Sequence, residues 1–177
     1  VGVMGVMSIN EMNAVKNMSL KTQEQQIRDN FDNNVKEQVE SASAMLNAIY
    51  KRSQAGEYTF EEAKKLAANL LRELRYGTDG YFWADTYEGI NVVMMGNATE
   101  GTNRIELKDS NGVEFIKEII KQGRQPNGGF IDYMFPKAGT TEPLPKRSYS
   151  KAFEPFNWVI GTGNYTDYID SYIASQK

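Results

Sequence analysis

Three aromatic residues stand together in Gly80-Tyr81-Phe82-Trp83, and a pair of cations opens the segment Lys146-Arg147-Ser148-Tyr149. On extended backbone, alternation puts Tyr81 and Trp83 on one face and Phe82 on the other. It also puts Lys146 with Ser148 and Arg147 with Tyr149. Tyr133 falls on a neighbouring extended segment, and Arg104 in the loop after the second strand, at 90–95. Tyr hydroxyls and a Trp N–H are donors on apolar bodies, the composition of a small aromatic-walled binding pocket. A Lys or Arg beside them could hold a carboxylate by charge-assisted hydrogen bonds, about twice as strong as neutral ones. Blander readings stand next to this one. The aromatics can be core on both faces, a cation at a strand end can be solvated, and Arg104 can pair with Glu106 or Asp109.

The chemistry left out is as informative. The chain has neither histidine nor cysteine, which removes Ser-His-Asp and Cys-His catalysis, imidazole and thiolate metal ligands and iron–sulfur clusters. Carboxylate, lysine or tyrosine acid–base chemistry stays open, but no unperturbed side chain titrates near neutral pH. We therefore expect no catalytic residue, no cofactor and no metal. Glu100-Gly101, Asn127-Gly128-Gly129 and Gly161-Thr162-Gly163 lack the spacing of a phosphate-binding loop. Asp85, Glu88, Asp109 and Asp132 lack the order of a calcium loop. A net charge of -3 offers no basic excess for nucleic acid.

The elements that must position these residues follow from periodicity. With 177 residues and 40% hydrophobic content, the chain suits one domain with its own core. Ile27, Phe31, Val35, Val39, Ala42, Met45 and Ile49 recur at three- and four-residue steps, predicting one long helix over about 8–53. The alternative is two helices jointed at the polar stretch near Lys21. A helix of that length outruns a small domain, so part of it must project or pair with another chain. The apolar opening, residues 1–7, is too short to span a membrane; it reads as the end of a membrane helix or as a tag remnant.

Thr59 and Glu62 form a capping box for a second helix, whose stripe is Phe60, Ala63, Leu66, Leu70, Leu71 and Leu74. Strands follow at 81–84 and 90–95, a helix at 110–122 with Phe115, Ile119 and Ile120 inward, then strands at 130–135, 147–153 and 158–165, and a short exit helix over 166–177. The class is α+β, with helices grouped on one side of a five-stranded antiparallel sheet.

Several stretches in order resemble the single Cache family of bacterial sensor domains. They are Leu71-Arg72-Glu73-Leu74-Arg75-Tyr76-Gly77, Gly80-Tyr81-Phe82-Trp83, Lys108-Asp109-Ser110-Asn111-Gly112, Pro145-Lys146 with Ser148-Tyr149, and Trp158-Val159-Ile160-Gly161-Thr162-Gly163 with Tyr165. The resemblance covers about residues 25–172. It implies a single Cache domain over 1–177, with a long N-terminal helix that dimerises and a PAS-like sheet subdomain over 58–165. It further implies a place outside the cytoplasmic membrane, in a methyl-accepting chemotaxis protein or a sensor kinase anchored by flanking membrane helices. Its pocket would take a small organic acid. Many members carry His-Pro where this chain has Met95-Gly96, so Met95 stands where a ligand contact is expected and the ligand chemistry can differ. Asn164, in Gly163-Asn164-Tyr165, is a second such position. The expected ligand contacts are thus Tyr81, Trp83, Met95, Arg104, Tyr133, Lys146, Arg147, Tyr149 and Asn164.

Overall fold

A computed structural model of the protein describes Gly2 and residues 5–177. The first helix, α1 (Ile9–Gln54), is one uninterrupted element of 46 residues, close to 70 Å long at 1.5 Å per residue. Its start is fixed by a capping box in which the Ser8 hydroxyl accepts from Glu11 N–H and the Glu11 carboxylate accepts from Ser8 N–H. Phe31, Val35, Val39, Ala42, Leu46 and Ile49 are its buried stripe. Leu46 rather than Met45 takes the inward place, and Met45 packs at the margin. Ile9, Met12, Val15 and Met18 are exposed, so the first turns stand clear of the domain.

Helix α2 (Phe60–Glu73) begins at the Thr59–Glu62 capping box. It buries Ala63, Ala67, Ala68 and Leu71, while Leu66 and Leu70 face outward. The predicted stripe was rotated, because alanines allow the closer approach to α1 and take the contact face.

The sheet comprises β1 (Arg75–Tyr76), β2 (Gly80–Thr86), β3 (Asn91–Met94), β4 (Gly129–Pro136), β5 (Pro143–Phe153) and β6 (Trp158–Tyr165), all pairs antiparallel. The order is β1-β2-β6-β5-β4, with β3 also on β2. There are six strands rather than five: the two-residue β1 is too short to show a period. Helix α3 (Phe115–Gly123) starts later than predicted, because residues 110–114 form the turn that Asp109 ties down by accepting from the N–H groups of Asn111 and Val113. Helix α4 (Asp167–Ser175) closes the chain.

The helices do not share one side of the sheet. Phe82, Ala84, Tyr149, Trp158 and Ile160 face α1, α2 and α4, whereas Tyr81, Trp83, Met94, Tyr133 and Val159 face α3 and the loop before it. Two cores therefore flank one sheet, and every central strand is buried on both faces. Among the described residues no helix is long and apolar enough to cross a membrane.

Candidate functional site

Strand alternation and register assemble the site on the α3 face. Tyr81 and Trp83 project from β2, and Met94 lies directly opposite Trp83 on β3. Lys146 on β5 pairs with Tyr133 on β4 and with Tyr165 on β6. Phe115 and Ile119 from α3, Phe135 and Arg104 complete a buried cavity of about 10 Å³, roughly the space of one water.

Lys146 is 2% exposed. Its Nζ donates to Tyr81 Oη at 2.9 Å and sits 4.4 Å from the centre of the Tyr81 ring, 4.9 Å from Trp83, 5.0 Å from Phe135 and 5.4 Å from Tyr165. Among the described residues no carboxylate forms an ion pair with it; the acid of β2, Asp85, is spent elsewhere. Asp85, fully buried, takes a bidentate bond from Arg104, Nε to Oδ1 and Nη2 to Oδ2, both at 2.6 Å. Burial pulls the Lys146 ammonium down to about 7 from its usual value, with the Arg104 guanidinium adding to the fall. Ring faces attract a cation, but four of them do not replace a counter-ion.

A second donor, on a residue that lines the cavity, is unsatisfied. Trp83 Nε1 is buried without a hydrogen-bond partner; among the described residues only Asn91 Oδ1 shares that condition. The indole lies against Gly161, where a Cβ would come within 2.7 Å of its ring, so the glycine fixes the height of the Trp83 ring over β6. Tyr133 Oη is paired with Ser148 Oγ at 2.8 Å. Desolvation raises the hydroxyl pKa of Tyr81 and Tyr133, and pushes Tyr165 up to about 12. The cavity thus offers surplus donors and a surplus positive charge, which an anionic acceptor complements.

Of the residues expected to meet ligand, Tyr81, Trp83, Arg104, Tyr133 and Lys146 converge here. Arg104 pairs with Asp85 rather than Glu106 or Asp109. Arg147, Tyr149 and Asn164 do not converge. Alternation puts Arg147 and Tyr149 on the α1 face, and Asn164 lies opposite Arg147 in register and shares that face. There Arg147 forks onto Asp32 of α1 at 2.7 and 2.9 Å, and Tyr149 donates to the Asn127 carbonyl. Asn164 lines a different and larger cleft, about 580 Å³, with Asn30, Asn34, Thr78, Asp79 and Lys137. Met95 is also displaced. It turns the chain with φ 56°, ahead of Gly96 at 72°, so its side chain sits at the margin of the core while Met94 lines the cavity. Sequence reading missed Met94, Phe115, Ile119 and Phe135 as lining. Phe115 and Ile119 were legible as buried helix positions, but nothing local says what they bury against.

The loop after β3 is anchored by Glu100. Its carboxylate accepts from Met94 N and Gly96 N and from Arg72 of α2. Burial works against this charge, yet the bonds outweigh it together and hold the acid below its usual range.

Comparison with known proteins agrees with this architecture. The family model described as Single Cache domain 2 matches residues 27–177. The methyl-accepting chemotaxis protein McpP of Pseudomonas putida is 30% identical over 139 residues, covering 78% of this chain and 26% of that protein. The sensor histidine kinase MctS of Rhizobium johnstonii is 32% identical over 127 residues, covering 71% and 27%. The chain thus spans about a quarter of the length of these curated relatives. Among solved structures, a periplasmic sensor domain of a chemotaxis protein superposes with a TM-score of 0.75 at 32% identity, over 80% of this chain and 98% of that one. A Cache chemosensory domain described for its carboxylic acid recognition superposes with 0.76 at 28% identity, over 81% and 98%. This chain belongs to the single Cache domain 2 family and is a Cache sensor domain of the kind found in chemotaxis receptors and a histidine kinase.

Proposed function

We propose that this domain binds a short-chain carboxylate in the Lys146 cavity and reports it, from outside the cytoplasmic membrane, as the sensory part of a transmembrane chemotaxis receptor. The observation that carries the reading is the Lys146 ammonium, buried without an acid partner beside the unpaired Trp83 N–H. An isolated charge in an apolar site is costly, and a carboxylate neutralises it while accepting from Trp83. The recognition of carboxylic acids by a Cache domain of the same architecture supports this choice of ligand. A cavity holding one water cannot take even acetate without movement. Entry therefore requires Phe115, Phe135, Met94 or the loop after β3 to shift, and that shift is the conformational event a receptor needs.

In this reading the ligand is bound and released unchanged. In the full receptor the projecting turns of α1 pair with a second copy. A histidine kinase is the alternative output, given the kinase relative.

Thermal shift and calorimetry test the reading with acetate, propionate, pyruvate, glycine and methylamine. The acids should raise the midpoint of the wild type and leave Lys146→Met unmoved. Stabilisation by methylamine but by no acid would overturn it, and no response to any member would favour a non-binding dimerisation module of the same fold.

A further inference from the structure

We infer that the Lys146 cavity is a proton-linked carboxylate site: in alkaline medium the anion enters together with one proton, which comes to rest on Lys146 Nζ, so the domain reads acid concentration and pH jointly. The inference rests on the carboxylate reading above and adds a second ligand to the same site.

The geometry carries it. A buried ammonium keeps its proton only where a counter-ion or several hydrogen bonds repay the lost hydration. Lys146 Nζ has one hydrogen bond, to a neutral phenol, and otherwise faces ring carbon. The acid among the elements around it, Asp85 of β2, is spent on Arg104. β2 presents Tyr81 and Trp83, β4 presents Tyr133 and Phe135, β6 presents Tyr165, and α3 presents Phe115 and Ile119. The loop before α3 adds Arg104, a second cation, which is paired with Asp85. Beyond Tyr165, Lys137 is paired with Asp79 at 3.6 Å. The empty cavity therefore favours the free amine once the medium is mildly alkaline, in line with a Lys146 pKa of about 7. A bound carboxylate reverses this by supplying the missing counter-charge.

The balance of the step is simple. The Nζ lone pair takes a proton from solvent, and the ammonium so formed bonds the carboxylate, with no other bond made or broken. The same complex results if the neutral acid enters and hands its proton to the amine. No other group of the cavity changes charge in the relevant window. The phenols of Tyr81, Tyr133 and Tyr165 all titrate well above 9, and a short-chain acid ionises at about 4 to 5. Linkage then fixes the sign. Affinity is flat between about pH 5 and 7 and falls roughly tenfold per pH unit above it, until the raised pKa of the complex is reached.

Calorimetry with propionate at pH 6, 7, 8 and 9, in two buffers of different ionisation enthalpy, tests this. The expected result is about a hundredfold loss of affinity from pH 6 to 9, with proton uptake approaching one per ligand at pH 9. Lys146→Arg, whose guanidinium stays ionised throughout, should lose the slope wherever it binds. Affinity within twofold across the range, without buffer-dependent heat, would overturn the linkage and leave the carboxylate reading standing. An unchanged slope in Lys146→Arg would put the proton elsewhere and also overturn it. Absence of propionate binding at pH 6 would defeat the carboxylate reading and this inference with it.

Discussion

Lys146 and Arg147 are consecutive on β5 and serve opposite faces of the sheet: Lys146 Nζ lies in the buried cavity, and Arg147 forks onto Asp32 of α1 at 2.7 and 2.9 Å. One strand thus joins the candidate ligand to the helix that projects from the domain. A displacement of β5 would pull on α1 through this pair. Arg147 also meets Asp132 at 2.8 Å; the Asp32 bond first, with Asp132 adding to it against the cost of burial, holds its guanidinium pKa above the ordinary range.

The two neighbours should therefore separate binding from coupling. Arg147→Ala should leave carboxylate affinity within about threefold while costing roughly 1 kcal/mol of stability, the scale of a half-exposed ion pair with good geometry. Calorimetry and thermal melting of the variant measure both. A loss of affinity beyond tenfold would return Arg147 to the list of ligand contacts.

Lys146→Met should stabilise the unliganded domain as it abolishes binding. The native lysine keeps a charge in an apolar site at neutral pH and below, and methionine fills the same space without one. A gain of about 2 kcal/mol is expected at pH 6, about 4–8 °C in midpoint for a chain of this size. The sign with pH follows from a folded-state pKa below the unfolded one. Between about pH 7 and the ordinary lysine range the unfolded chain binds the extra proton, so wild-type stability rises with pH in that window. Melting curves of the pair should converge from pH 6 towards pH 10. A variant less stable than wild type at pH 6 would contradict the account of an unpaired charge.

Gly161→Ala should displace Trp83. The added methyl would lie 2.7–2.8 Å from three atoms of the indole, Nε1 among them, closer than packing allows, and overpacking of a core costs about 1–3 kcal/mol. Affinity should fall at least tenfold, with a shift in tryptophan emission. Wild-type emission and affinity in the variant would show that the Trp83 ring has room to move.

Asp85 and Arg104 should behave as one unit. Removing either partner leaves a buried charge, so Asp85→Asn or Arg104→Gln alone should cost about 3–5 kcal/mol. The double substitution should cost less than the two single losses combined, by 1 kcal/mol or more. Additive losses in urea melts would mean that the pair is not coupled as its geometry implies.

The outline was legible because its signals are local. The stripe from Phe31 to Ile49 marks α1, the Thr59–Glu62 box starts α2, and alternation separates Lys146 from Arg147 without any structure. What alternation leaves open is which face carries the cavity. That depends on α3 crossing the side opposite α1, a tertiary fact with no local trace, and it is why Arg147, Tyr149 and Asn164 were grouped with Lys146. The Asp85–Arg104 pair was hidden for a related reason: the intervening hairpin brings residues 19 apart into contact, and nearer acids competed as partners. Met95 was misplaced because its left-handed turn breaks the alternation that carries Met94 inward.

The most direct test of the account uses the two tryptophans. Trp83 lines the cavity and its Nε1 is buried and unpaired, while Trp158 packs on the α1 face of the sheet and serves as an internal control. An indole ¹⁵N–¹H spectrum should show two side-chain signals, assigned by Trp158→Phe. Titration with propionate at pH 6 should move the Trp83 signal downfield as its N–H gains a carboxylate acceptor, with Trp158 nearly still. Saturating propionate that leaves Trp83 unmoved, or that moves Trp158 alone, would contradict the claim that the Lys146–Trp83 cavity is the ligand site.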